Sequence, residues 1–269
     1  MTKLKFRCVH YSSTFYRGAT VFLIVAFKSR YWFYKPVIWQ LLSNGFNVYV
    51  YDYASKPLLE SQPELWVKFS GTLNSDIKKN IERETGRDPR ARFGIMGVSV
   101  GSSLALSAAK DLPELEKMLF VTMYGSSAQL VWENNHLMTI KRELVQSNKT
   151  MEDASRIFGP LEAVTELHKL GNRSIRMFVS MGDRVISFGN ANRFIQAAIG
   201  ADLNFSYRIV NEPKHSYTII RVLADYSSWL PFMAELRDTL LVTKYEDKST
   251  WSRLNFNHKS EDSKWVRYV

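Results

Sequence analysis

Five consecutive residues, Gly97-Val98-Ser99-Val100-Gly101, decide the predicted fold of this chain. A short apolar run from Phe93 to Met96 precedes them, and a helical run of small residues from Ser102 to Lys110 follows them. Strand, G-x-S-x-G and helix in this order predict a turn so tight that the serine backbone is strained. The flanking glycines leave room for the strand and the helix to approach each other. The backbone N–H of Val100 then faces the space above Ser99 at a helix N-terminus, where negative charge is stabilised.

The chain on both sides of this motif alternates between predicted strands and predicted helices. The run from Ala19 to Phe27 is almost continuously apolar, as in a central strand that is covered on both faces. Alternation of this kind predicts an α/β fold with a doubly wound, mostly parallel sheet. Further strands are predicted over Phe6 to Ser12, Phe46 to Tyr53, Lys117 to Tyr124, Ser174 to Met181 and Leu203 to Val210, with helices over Lys35 to Ser43, Leu65 to Glu84, Asn190 to Ile199 and Ser227 to Leu241.

The pattern predicts one domain over residues 1–243 and a polar extension over residues 244–269. Residues 126–171 separate two predicted core strands by more chain than one covering helix needs. They have helical character over 128–145, 151–158 and 161–170, so we expect a small helical cap. The extension fits either a segment packed on the surface or a partly disordered tail.

Composition limits the class of protein. The chain has 269 residues, of which 45% are hydrophobic and 23% are charged, and this predicts a globular domain with a substantial core. Cys8 is the single cysteine, which excludes an intramolecular disulfide and favours a reducing, cytoplasmic location. The charged N-terminus lacks the apolar core of a secretion signal. The longest apolar runs, such as Val21 to Phe27, fall short of the roughly 20 residues of a membrane span, so no transmembrane segment is expected.

Positive charge is concentrated near the start of the chain. The formal net charge is +10, and the first acidic residue is Asp52, which follows seven lysines and arginines. One interpretation is a generally cationic surface. Another is attraction of an anionic partner, either an acidic substrate or a membrane surface that the protein contacts peripherally. No nucleic-acid-binding motif accompanies the charge, so nucleic acid is not an expected partner.

Two polar residues follow predicted strands further along the chain. Asp183 comes after the strand from Ser174, and His215 is expected in a loop beyond the strand from Leu203. Sites in open α/β sheets form where parallel strands end. Taken singly, Asp183 also fits a turn aspartate and His215 a surface histidine. The order Ser, Asp, His is nevertheless that of a hydrolase triad, in which a base activates the serine and an acid orients the base. The competing residues are His10, His136, His168, His258 and Glu212.

These residues resemble the α/β-hydrolase superfamily over about residues 19–240. The resemblance rests on the G-x-S-x-G motif, on Met181-Gly-Asp183-Arg-Val185 and on Lys214-His215-Ser216. It implies that Ser99 is the nucleophile, His215 the base and Asp183 the residue that orients the base. The Gly-Asp-x-Val segment and the modest cap are similar to those of single-chain esterases, monoacylglycerol lipases and thioesterases.

Two backbone donors are expected to stabilise an oxyanion. The first is the N–H of Val100, and the second is expected from the backbone of Phe27 or Lys28. Such hydrolases often carry His-Gly here, whereas this chain has Ala26-Phe27-Lys28-Ser29. The aromatic, basic stretch over residues 30–35 fits either packing under the cap or a wall of the acyl pocket that meets an anionic group.

Together the residues predict a serine hydrolase that cleaves a carboxylic ester or a thioester through an acyl-serine intermediate. A serine at the motif argues against dehalogenase and epoxide hydrolase relatives, which use an aspartate there. No metal-ligand cluster and no phosphate-binding glycine loop is present in the sequence, so neither a metal nor another cofactor is expected. The expected partner is a small acyl ester or thioester, with an anionic one as a candidate. The alternative is a non-catalytic α/β-hydrolase-fold binding protein.

Overall fold

The computed structural model describes residues 6–27, 29–53, 63–237 and 265–268, without the side chains of His136 and of the last four. Its strands are β1 (Phe6–Tyr11), β2 (Ala19–Ile24), β3 (Phe46–Tyr53), β4 (Arg92–Val98), β5 (Leu115–Val121), β6 (Ser174–Ser180), β7 (Phe205–Val210) and β8 (Trp265–Tyr268). The α-helices are α1 (Lys35–Ser43), α2 (Pro63–Arg87), α3 (Val100–Asp111), α4 (Ser127–Glu133), α5 (Met138–Gln146), α6 (Met151–Phe158), α7 (Phe188–Gly200), α8 (His215–Ala224) and α9 (Tyr226–Ala234).

The strands form one sheet in the order β1-β3-β2-β4-β5-β6-β7-β8. β1 and β8 lie at the two edges and are antiparallel to their neighbours, whereas all the pairs between β3 and β7 are parallel. Every residue of β2 is buried, which requires cover on both faces of the sheet. The predicted α/β class and the mostly parallel, doubly wound sheet are therefore confirmed.

Some predicted boundaries agree with the structure and others do not. The bounds of α1, β3 and α6 are those predicted from the sequence. The predicted helix from Leu65 is longer in the structure, because α2 continues through Gly86 to Arg87. A predicted helix over residues 128–145 is divided at Asn134, whose extended backbone ends α4 and whose side-chain amide donates to the carbonyl of Val185.

The end of the described chain differs most from the prediction. The structure has one helix that the sequence did not predict, α8, and it is followed by α9, which begins one residue before the predicted start at Ser227. Asp225 ends the first of them and precedes the second. Residues 238–241 of the predicted helix lie outside the described residues, as does the extension over residues 244–269 except for β8.

The segment over residues 126–171 contains α4, α5 and α6, but in place of the helix predicted over 161–170 it has only a 3-10 turn that ends at Leu161 and a 3-10 helix over Leu167–Leu170. Two buried polar side chains fix the start of the segment. The amide of Asn190 on α7 accepts hydrogen bonds from the N–H groups of Gly125 and Ser126 and donates to the carbonyl of Ser126. The carboxylate of Glu162 accepts from the N–H groups of Ser127 and Ala128, in the first turn of α4. Because unpaired buried N–H groups are costly, these contacts hold α4 at one position over the sheet edge.

Among the described helices, none combines the length and the apolar character that crossing a membrane would require.

Candidate active site

Ser99 lies in a strained turn between β4 and α3. Its backbone has φ 55° and ψ −125°, a conformation that a residue with a side chain rarely adopts. The N–H of Ser99 donates to the carbonyl of Val121 at 2.8 Å, and its carbonyl accepts from the N–H of Ser102 at 2.8 Å. A side chain at Gly101 would lie 2.5 Å from the carbonyl oxygen of Ile24. The glycine therefore lets α3 approach β2 and holds the serine at the carboxyl end of the sheet.

The structure brings Ser99, His215 and Asp183 into one hydrogen-bonded chain. The distance from Ser99 Oγ to His215 Nε2 is 2.9 Å, and the distance from His215 Nδ1 to Asp183 Oδ2 is 2.6 Å. The chain is consistent with an Nδ1–H that donates to the carboxylate, which leaves Nε2 free to accept the proton of the serine hydroxyl. The Asp183 side chain is 2% exposed and that of His215 is 15% exposed. An imidazole held in this way can act as a general base toward the hydroxyl.

The carboxylate of Asp183 is fixed by the backbone that follows it. Its Oδ1 accepts hydrogen bonds from the N–H groups of Val185 at 2.8 Å and Ile186 at 3.0 Å. Asp183 is therefore both a turn aspartate and the partner of His215, and the two interpretations that the sequence left open hold together. One oxygen is used by the turn, and the other is directed to the imidazole.

His215 is the first residue of α8, and the sequence prediction that it lies in a loop is wrong. The sequence Asn211-Glu-Pro-Lys214 has the composition of a loop, and the short helix behind it gives little periodicity to detect. The helix start matters for the site, because the backbone of α8 directs the imidazole of His215 toward Ser99.

A contact between two loops sets the position of His215 relative to Asp183. Ser180 at the end of β6 donates its hydroxyl to the carbonyl of Glu212 at 2.5 Å. A side chain at Gly182 would lie 2.9 Å from the same carbonyl, so the loops can approach this closely only with glycine there. The sequence analysis did not identify Ser180 or Gly182 as residues of the site. The Gly-Asp pair after a strand was the available signal for Gly182, and no local signal marks Ser180.

The competing residues from the sequence have other roles or lie elsewhere. Glu212 forms an ion pair with Arg221 at 2.6 Å. The ring of His10 stacks on Tyr49 with a centroid distance of 4.2 Å, on the β1 edge of the sheet. His168 lies in a 3-10 helix of the 126–171 segment, and His258 lies outside the described residues.

Two of the predicted oxyanion donors lie where they could bind a negatively charged oxygen. Val100 and Phe27 both line the cavity that contains Ser99. Within the described part of the chain, neither backbone N–H donates a hydrogen bond, whereas the neighbouring N–H of Ala26 donates to the hydroxyl of Tyr34 at 2.8 Å. Lys28, the other predicted candidate, lies outside the described residues.

Two cavities meet at His215. The smaller, of about 190 Å³, is lined by Ser99 and Val100 and by apolar side chains, among them Leu130 and Leu137 of the 126–171 segment. The larger, of about 350 Å³, is lined by Ala26 and Phe27, by described residues between Ser29 and Tyr34, and by the start of α8. Phe27 and His215 border both cavities, whereas Ser99 borders only the smaller one.

The part of the chain that the structure describes contains no candidate metal-binding site. Its His, Cys, Asp and Glu side chains include no group of three or more arranged to hold a metal ion.

Comparison with known proteins gives matches in structure only. No protein-family model matches the chain, and no curated protein sequence matches it. A cold-adapted esterase from an Arctic intertidal metagenomic library is similar with a TM-score of 0.56 and 11% identity, over 87% of this chain and 89% of that one. Paleococcus ferrophilus monoacylglycerol lipase is similar with a TM-score of 0.52 and 10% identity, over 86% of this chain and 99% of that one.

A longer protein also contains the same architecture. Pyrococcus horikoshii acylaminoacyl peptidase is similar with a TM-score of 0.63 and 13% identity, over 88% of this chain but only 42% of that one. Identities this low establish the architecture alone. The sheet order, the turn at Ser99 and these structural matches lead to one conclusion, which is that the chain has the α/β-hydrolase fold.

Proposed function

We propose that this protein is a serine hydrolase that cleaves a carboxylic ester or a thioester through an acyl-serine intermediate. The observation that carries the proposal is the continuous chain Ser99–His215–Asp183, with contacts of 2.9 and 2.6 Å at the carboxyl end of the sheet. The esterase and the monoacylglycerol lipase that share the fold are described by their names as acting on esters, which supports the same reaction class.

The proposed reaction has two halves. Ser99 Oγ attacks the acyl carbon while His215 Nε2 takes its proton, and the carbonyl oxygen becomes an oxyanion that accepts from the N–H of Val100 and of Phe27. The bond to the leaving group then breaks, and His215 returns the proton to the leaving oxygen or sulfur. Water repeats the sequence on the acyl-serine, which releases the acid and restores the hydroxyl.

Asp183 is a positioning residue in this scheme. Its carboxylate accepts from Nδ1–H and so keeps Nε2 unprotonated and aimed at Ser99. It also stabilises the imidazolium that forms in each half of the reaction. Because Val185 and Ile186 hold the carboxylate, its orientation does not depend on the substrate.

The smaller cavity is the proposed acyl pocket, and the 126–171 segment is the proposed cap. Leu130 and Leu137 of that segment close the cavity above Ser99, while Val185 and Ile186 close its side. Apolar walls and a volume of about 190 Å³ favour a short or medium aliphatic acyl group. The single-domain organisation over residues 1–243 and a cytoplasmic location remain predictions from the sequence.

A matched pair of serine variants tests the proposed function. Ser99→Ala removes the attacking oxygen. Ser102→Ala removes the hydroxyl of a serine three residues further along the chain, which donates to the carbonyl of Val121. We expect p-nitrophenyl esters of two to eight acyl carbons, assayed beside acyl-CoA thioesters, to be hydrolysed by wild type and by Ser102→Ala. Ser99→Ala should lose the activity on every substrate.

The same substrates decide whether the protein is an enzyme or a non-catalytic binding protein with the same fold. A non-catalytic binding protein would turn over none of the esters and thioesters in any of the three forms. Preference between the p-nitrophenyl and the CoA series would separate an esterase from a thioesterase.

A further inference from the structure

The larger cavity is in contact with the proposed base but not with the proposed nucleophile. It borders His215 and Phe27, and its other walls are formed mainly by Trp32, Phe33, Tyr34 and Ile219. Ser99 and Val100 line only the smaller cavity. A substrate whose acyl carbon is at Ser99 therefore has a second space available, and this space lies on the side of the imidazole.

The chemistry of the leaving group decides what occupies that space. In acyl transfer, the histidine that takes the serine proton gives it back to the leaving atom, which must lie next to Nε2. The leaving group consequently extends past His215 and away from the acyl pocket. The larger cavity, which borders His215 and lies outside the acyl pocket, is in this position.

Among the described residues that line this cavity, Arg30 is the only lysine or arginine. Arg30 lines it and is exposed, and its guanidinium forms no ion pair or hydrogen bond with any other residue in the described ranges. The carboxylate of Asp52, on the neighbouring strand β3, accepts a hydrogen bond from the N–H of Tyr31 at 3.4 Å. No acidic side chain is among the residues that line the cavity within the described chain.

Hydrogen bonds among Ala26, Ser29 and Tyr34 fix the backbone on both sides of Arg30. The hydroxyl of Ser29 donates to the carbonyl of Ala26 at 2.6 Å, and the buried hydroxyl of Tyr34 accepts from the N–H of Ala26. The residues on both sides of Arg30 are therefore tied to the end of β2. The backbone of Arg30 is therefore fixed beside the cavity, and its exposed side chain can adapt to a ligand.

We propose that the larger cavity receives the leaving group, and that Arg30 selects a leaving group carrying a carboxylate or a phosphate. This inference rests on the proposed function and names the substrate class more narrowly. The aromatic walls fit an apolar or aromatic body, and the guanidinium fits an anionic group at its outer end. The sequence left open an anionic group at the wall of the acyl pocket, whereas this proposal assigns it to the leaving-group side.

Three esters of the same architecture test the assignment. The 4-carboxyphenyl and 4-carbamoylphenyl esters of butyric acid share an acyl group and differ in the charge of the leaving group. Phenyl hemisuccinate carries its charge on the acyl group. The measurement is kcat/KM for wild type, Arg30→Gln and a control variant, Lys35→Gln. Lys35 begins α1 a few residues away and lines neither cavity.

We expect Arg30→Gln to lower kcat/KM for the carboxyphenyl ester about two- to fivefold more than for the carbamoylphenyl ester, since an exposed ion pair changes an equilibrium by at most about fivefold. The difference should shrink at high salt, because an exposed charge is screened. Lys35→Gln should not separate the two esters. A phosphate-bearing leaving group, 4-phosphonooxyphenyl butyrate, shows which anion is preferred.

Two results would overturn the inference and are distinct from each other. A loss confined to phenyl hemisuccinate would assign the charge to the acyl side. Equal losses on the charged and neutral butyrates would make Arg30 a general surface residue. Failure of wild type to hydrolyse any of the esters or the thioesters is a third result, and it overturns the proposed function together with the inference.

Discussion

Two buried carboxylates in this molecule are held in similar ways and have different surroundings. Asp183 follows β6 and accepts hydrogen bonds from the N–H groups of Val185 and Ile186, while Glu162 accepts from those of Ser127 and Ala128. One oxygen of Asp183 remains for the imidazole of His215. Both oxygens of Glu162 are used by backbone N–H groups.

The difference lies in what each carboxylate leaves free. Burial raises the pKa of Glu162 above its usual range, although its hydrogen bonds act in the opposite direction. Its role is to fix the start of α4, and no titratable side chain in the described part of the chain hydrogen-bonds to its carboxylate. Asp183 is held by its turn hydrogen bonds with one oxygen directed at the imidazole of His215. Burial and backbone contacts are therefore common to both residues. The contact with the imidazole of His215 distinguishes Asp183, in the candidate active site, from Glu162, which has a structural role.

The largest expected effect comes from substitution of Asp183, the carboxylate that contacts His215. Asp183→Asn should keep the turn, because an amide oxygen can still accept from Val185 and Ile186, but it should lower kcat about 10⁴-fold. The reason is that an amide can donate to Nδ1 and so favours the wrong tautomer of His215. Steady-state hydrolysis of a p-nitrophenyl ester measures the loss. A reduction below tenfold, with the fold intact, would show that Asp183 does not orient the base.

A double variant tests whether Asp183 and His215 act together. His215→Ala should lower kcat by a similar factor, and the double variant with Asp183→Asn should be scarcely slower than His215→Ala alone. Residues that act as one unit lose their effect together. If the fold-reduction in kcat of the double variant equals the product of the two single reductions, the residues act independently.

The structural carboxylate should affect stability more than catalysis. Glu162→Ala leaves the N–H groups of Ser127 and Ala128 buried without their acceptor, which we expect to cost about 1–3 kcal/mol in the free energy of unfolding. Urea denaturation followed by tryptophan fluorescence measures it. Exposed Glu152→Ala on α6 is the matched control. A fall in kcat like that of Asp183→Asn, without a loss of stability, would contradict the comparison.

The segment that Glu162 anchors should influence acyl selectivity. Leu137 is buried and lines the smaller cavity, so Leu137→Ala enlarges the proposed acyl pocket. The ratio of kcat/KM for an eight-carbon over a four-carbon p-nitrophenyl ester should rise about tenfold. Val145→Ala serves as the control, because Val145 lies on the same segment and is exposed. Equal ratios in both variants would make the segment a structural element only.

The smallest expected effect concerns the lysine next to the anchor. Burial lowers the pKa of Lys110 to about 8, and its ammonium donates to the carbonyl of Glu162 at 2.8 Å. Between about pH 8 and the unfolded value near 10.5, the unfolded chain binds more protons than the folded one, so stability should rise with pH across this window. The rise, on the order of 1–3 kcal/mol, should be absent from Lys110→Met. Parallel pH profiles of the two proteins would refute it.

Local patterns in the sequence predicted the parts of the molecule that depend on local patterns. Continuous apolar runs identified the parallel strands, and the motif around Ser99 predicted the strand, turn and helix. The order of Ser99, Asp183 and His215 at strand ends predicted which three side chains meet, since parallel strands end at the same edge of the sheet.

Features that depend on contacts between distant segments could not be predicted. Ser180 approaches Glu212 only because β6 and β7 are neighbours, and nothing in either segment indicates the hydrogen bond. Asn134 interrupts a helical pattern through its contact with Val185. The start of α8 at His215 was missed because the residues before it have loop composition and the helix is short. The second cavity arises from the packing of the 26–34 stretch against that helix.

The central claim is that Ser99 forms the covalent intermediate, and a fluorophosphonate followed by peptide mapping tests it most directly. Trypsin should release residues 93–110 as one peptide, which contains Ser99 together with Ser102, Ser103 and Ser107. We predict one phosphonyl group per chain, located by fragmentation on Ser99 and absent after labelling of Ser99→Ala. A native protein that remains unlabelled, or that carries the label on another serine of this peptide, would contradict the account.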